Sequence, residues 1–168
     1  MLVAVAMLAG TASGVLARSV ERSFVTDQAG FMTGMVYSPS FPNGDTFGGR
    51  CSRPSQWISS SARTGHDTHL GRVTWTAEHC FQTATATFSD ARVVITSANG
   101  DQVYATYHGA MNGETTFTAA MTITGGTGRF SGATGSLDAV GWFDPVTGYM
   151  ETHGVGTISY DASERGSR

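Results

Sequence analysis

From Phe31 onward apolar and polar residues alternate with a period of two, broken by turn-forming residues at roughly 8- to 14-residue intervals. That period belongs to extended backbone, in which successive side chains leave opposite faces. In Thr115 to Thr124, for example, Phe117, Ala119, Met121 and Ile123 fall on one face, and Thr116, Thr118 and Thr122 on the other. Asn99-Gly100 and Asn112-Gly113 lie between such runs and supply the positive φ that a tight hairpin needs. The reading is eight strands: Phe31 to Tyr37, Gln56 to Arg63, Thr68 to Phe81, Ala91 to Ser97, Gln102 to His108, Thr115 to Thr124, Ala133 to Phe143 and Tyr149 to Tyr160. Short connections make consecutive strands antiparallel neighbours. A sheet of that size leaves two unpaired edges unless it closes. The expected fold is therefore all-β, a closed antiparallel eight-stranded barrel with short turns, with a two-sheet sandwich as the alternative. Gly135, Leu137, Ala139 and Gly141 mix small and large side chains on one face, which suits a strand bent around a barrel.

Length and charge narrow the function classes. A chain of 168 residues has room for one domain with a substantial core. At 40% hydrophobic residues it is too apolar for a disordered chain, and no run of apolar residues is long enough for a membrane-spanning helix. Lys is absent, and the ten Arg face thirteen Asp plus Glu, for a net charge of −3. Without a basic patch, nucleic acid is excluded as an expected partner.

The chain divides into residues 1–17, an extended segment 18–29, a barrel domain 30–160 and a flexible tail 161–168. Leu2 to Ala9 is an apolar run of signal-peptide length, and Val15-Leu16-Ala17 offers residues that a signal peptidase accepts, although basic residues before the run are missing. The first segment is read as a leader, which places the protein in a secreted or periplasmic location. Cys51 and Cys80 form an even pair without Cys-x-x-Cys spacing. In an oxidising compartment they are expected to bridge. The competing use of both cysteines with His79 as a metal site is the weaker reading.

The segment Gly125-Gly126-Thr127-Gly128-Arg129-Phe130-Ser131-Gly132-Ala133-Thr134-Gly135-Ser136, followed by a strand, a turn and a last strand ending in Gly156-Thr157-Ile158-Ser159-Tyr160, resembles the late strand-connecting motif of dirigent proteins and allene oxide cyclases. Thr68-His69-Leu70-Gly71-Arg72 with the strand after it is similar to secreted bacterial proteins of the same barrel type. The resemblance implies an eight-stranded barrel with an apolar interior, and a corner where Phe130 plugs one end. Thr134 stands where dirigent proteins commonly carry a basic residue, and their catalytic carboxylates have no identified counterpart in this chain.

Candidate site residues follow from alternation. Val73, Trp75, Ala77 and Phe81 define the apolar face of their strand, and His69 and His79 share its parity. Imidazoles on an interior face can orient a ligand or move a proton near neutral pH. Tyr107 aligns with Val103 and Ala105, whereas Tyr104 faces the other way. His69, Trp75, His79 and Tyr107 are thus the expected ligand-binding residues, and no catalytic residue is assigned. Glu151 and His153 share a face expected to point outward. His66 and His69 lack a third ligand, so neither a metal nor a cofactor is expected. The leading expectation is a barrel that binds a small, mostly apolar molecule. The alternatives are a cyclase or isomerase using the cavity as a template, and a structural envelope protein; assembly as a homo-oligomer is compatible with each.

Overall fold

The computed structural model describes residues 19–37, Cys51 and residues 57–161. The strands are β1 (Val20–Tyr37), β2 (Trp57–Asp67), β3 (Gly71–Gln82), β4 (Thr87–Ser97), β5 (Gln102–Met111), β6 (Thr116–Gly126), β7 (Thr134–Phe143) and β8 (Tyr149–Tyr160). Each pairs antiparallel with the next, and β8 returns to β1, which closes the barrel. Closure satisfies both edges in one ladder, and the sandwich alternative falls.

The barrel begins earlier than alternation suggests. Residues 20–29, taken from sequence as an extended approach to a domain starting at residue 30, form the first half of β1 and pair through Val20↔Tyr160 to Ala29↔Glu151. Phe24, Thr26 and Gln28 point inward and are buried. Two of those three are polar, so both faces look hydrophilic and the period is hidden. The proposed leader and all of the tail beyond Asp161 lie outside the described residues.

The two ends of the barrel differ. At one end Phe24, Leu70, Ile95, Val103, Ile123, Ala133, Ile158 and Tyr160 pack around Phe130, which is 0% exposed. Phe130 ends a short 3-10 turn, Gly128–Phe130, and its ring meets Tyr160 edge-on at 4.9 Å. Gly128 (φ +53°) and Gly132 (φ +68°) provide the left-handed backbone that folds this corner inward. At the other end, where β3 turns into β4, β5 into β6 and β7 into β8, no described side chain plugs the barrel as Phe130 does. Cys51 and Cys80 are joined by a disulfide, Cα to Cα 5.5 Å. It ties Cys51 to β3 two residues before that strand ends at Gln82, and in the chain-entropy view contributes about 3–4 kcal/mol.

Candidate functional site

The open half of the barrel encloses a cavity of about 370 Å³, within the range of small-molecule sites. Its wall is mostly apolar: Met32, Phe81, Phe88, Met111, Phe117, Met121, Leu137, Phe143 and Met150. Methionines conform to irregular ligand shapes because their side chains are unbranched and soft. The polar groups that face inward are Thr26 on β1, Ser59, Ser61 and Arg63 on β2, His79 on β3, Tyr107 on β5 and Thr152 on β8, with Glu114 exposed near the mouth.

Arg63 is the buried cation of this cavity. β2 carries Ser59, Ser61, Arg63 and Asp67 on its inner face, and all four are buried. The guanidinium donates through Nη1 to Thr152 Oγ1 at 2.8 Å and lies over the Trp75 ring, 5.2 Å from its centre. Among the described residues its Nε has no partner. Burial pulls the guanidinium below its ordinary value, offset in part by Tyr107 and Asp67. An arginine starts so high that it stays charged near neutrality. Gly30 lies against it on β1: a Cβ there would meet the β2 backbone first and would sit 2.9 Å from Arg63 Cγ.

Asp67 is 0% exposed, and three neighbours satisfy it. It accepts from Thr26 Oγ1 and, at 3.0 Å, from Trp75 Nε1, with Gln28 Nε2 at 3.4 Å. Burial raises its carboxyl, and these hydrogen bonds work against the rise. Asp67 therefore holds Trp75 and Thr26 in place behind the cavity wall.

His79 Nδ1 and the Tyr107 hydroxyl are 2.7 Å apart. Their rings gather with Phe88 in one aromatic cluster on the wall. Burial, with the Arg63 charge adding to it, drops His79 to about 4, and burial also raises the Tyr107 phenol. Both are neutral at physiological pH. A base whose folded value lies below its unfolded value contributes stability that is present above about pH 6.5 and lost as pH falls toward about 4. The contribution is at most about 3 kcal/mol. Urea melts of wild type and His79→Gln across pH 4–7 are expected to show a slope in this window that the substitution removes. Equal slopes in the two proteins would show that His79 is protonated normally in the fold.

Of the residues expected from sequence, Trp75, His79 and Tyr107 line the cavity. His69 does not reach it. The β3 strand starts only at Gly71, and His69 sits in the turn before it with φ +71°. There its Nε2 bonds to the Ser23 carbonyl at 2.9 Å and its ring packs on Tyr160, at the closed end. Parity counted from Val73 does not pass through a turn. Arg63, Thr26 and Thr152 were missed. The inner and outer faces of β2 are both polar, so nothing in its alternation marks Arg63 as interior. Glu151 and His153 are exposed, as their parity indicates: His153 Nδ1 pairs with Asp27 Oδ1 at 2.7 Å, and Glu151 accepts from the Tyr149 hydroxyl. Among the described residues no group of three His, Cys, Asp or Glu could hold a metal ion.

No protein-family model matches the chain. No curated protein matches it either. Among solved structures, that of a pterocarpan synthase dirigent protein aligns with a TM-score of 0.57 at 16% identity, over 93% of this chain and 99% of that one. At that identity the likeness is one of fold. The strand order, the closure of β8 on β1 and this alignment agree: the chain folds as a dirigent-type eight-stranded barrel.

Proposed function

We propose that this is an exported barrel that binds one small, mostly apolar molecule in its lumen. The observation that carries the reading is the cavity of about 370 Å³, blind at the Phe130 end and walled by methionine and aromatic side chains. A barrel serving only as a structural element has no use for an unfilled interior, since close packing there would stabilise it. The disulfide supports export, because such bonds persist in oxidising compartments. Trp75, His79 and Tyr107 are the proposed ligand contacts, joined by Arg63.

The hydrogen-bonded His79 and Tyr107 favour one second reading, a cyclase or isomerase that uses the lumen as a template. Such reactions need a shaped, dry pocket and one group able to pass a proton. The pterocarpan synthase name of the neighbouring dirigent protein and the allene oxide cyclase resemblance support the same idea.

Mass spectrometry of protein purified gently from its native host is expected to release one small lipophilic compound. Ala119→Trp, which fills the lumen from β6, is expected to lose it together with any thermal shift given by lipophiles. Recovery of the compound as a mixture of two isomers points to the template reading. Ligand-free protein that no member of a lipophile panel stabilises removes the proposal.

A further inference from the structure

Resting on the lumen-binding reading above, we infer that the lumen takes an apolar monocarboxylic acid, with its carboxylate seated on Arg63 at the inner end of the cavity and its apolar body among the methionines toward the mouth. The argument is one of charge balance. Arg63 is 8% exposed and has five N–H donors, of which Thr152 takes one, while Nε has no partner among the described residues. An isolated buried cation disfavours the fold unless something compensates it. The groups facing it do so only in part. Asp67 offsets some of the cost of burying the charge but gives its hydrogen-bonding capacity to Thr26, Trp75 and Gln28 rather than to Arg63. Tyr107 and His79 are neutral at physiological pH, and Glu114 is solvent-exposed near the mouth.

The ring of Trp75 supports the face of the guanidinium, and Gly30 leaves out a Cβ that would meet the β2 backbone and the stem of the side chain at position 63. Arginine presents a planar fork that matches the two oxygens of a carboxylate. One cation balances a monoanion, whereas a phosphate monoester would bring a second, uncompensated charge into the lumen. The apolar wall between Arg63 and the mouth fixes the orientation, with the carboxylate inward.

Calorimetric titration of the full chain at pH 7 with two matched pairs tests the inference: decanoate against decanol, and 4-phenylbutyrate against 4-phenylbutanol. Wild type is expected to bind the acid of at least one pair ten or more times tighter than its alcohol. Arg63→Met is expected to weaken the acid by about 10- to 100-fold, the size of one charge-assisted hydrogen bond, and to leave the alcohol within about threefold. Arg63→Lys keeps the charge without the fork and is expected to retain part of the preference. It also decides the matter if circular dichroism shows Arg63→Met to be unfolded, since a lysine that binds acid and alcohol alike then overturns the inference. Alcohols that bind as tightly as acids in wild type, or an acid preference that survives Arg63→Met, overturn the carboxylate inference while the lumen reading stands. Failure of all four compounds to bind counts against both.

Discussion

Phe130→Ala is expected to lower the unfolding free energy by about 3–5 kcal/mol. The ring is wholly buried, packs edge-on against Tyr160 and carries the Arg129 guanidinium 4.7 Å from its centre. The residues around it come from β1, β4, β5, β6 and β8 and from the turns at Leu70 and Ala133. Ladder hydrogen bonds fix those strands, so the hole left by truncation cannot collapse. For a chain of this length the thermal midpoint is expected to fall by roughly 10 °C. Phe130→Leu keeps most of the volume and is expected to cost about 1 kcal/mol. Urea unfolding followed by circular dichroism measures both. A loss below about 1 kcal/mol for Phe130→Ala would mean that the closed end is not sealed by this ring, and the lumen would then run through the barrel.

Arg63→Met is expected to move stability in the opposite direction, raising the unfolding free energy of the ligand-free protein by about 1–4 kcal/mol. Methionine matches the arginine stem in length, keeps apolar contact with Trp75 and removes a buried charge that Asp67 offsets only in part and does not hydrogen-bond. What is lost is the 2.8 Å bond to Thr152, whose hydroxyl can turn to another partner, the cation over the Trp75 ring and a partial attraction to Asp67. A buried group that weakens the fold and improves a site is the usual form of a trade between stability and function. Denaturant melts of ligand-free wild type and variant decide it. If Arg63→Met is less stable by more than about 1 kcal/mol, the guanidinium is a structural member of the wall. The saturating acid is expected to reverse the order, because only wild type gains the linkage stabilisation of a tightly bound ligand.

Alternation, two Asn-Gly turns and the lack of helical period were enough to establish strand number and antiparallel neighbours and to favour closure over a two-sheet sandwich. These depend on local backbone geometry, which the chain carries at every residue. The inward parity of Trp75, His79 and Tyr107 was legible for the same reason, because each lies within an uninterrupted strand whose apolar face is unambiguous. So was the disulfide, since two cysteines leave one pairing.

Three features needed the closed barrel. The first half of β1 was hidden because Thr26 and Gln28 face inward, where they meet Asp67, a residue 41 positions from Thr26. His69 was misplaced because a turn resets parity, and only the pairing of β2 with β3 through Asp67↔Gly71 shows where the turn lies. Arg63 was invisible as a lumen residue because its strand is polar on both faces; its environment is supplied by Gly30, Trp75 and Thr152 from three other strands. The sequence by itself therefore determined that this chain is a run of antiparallel strands, each paired with the next, and which way most side chains point, while the pairing of β8 with β1 settled the ring. Only the tertiary structure decided that the ring is sealed at one end, hollow at the other and charged within, because burial and charge compensation are properties of side chains brought together from distant strands.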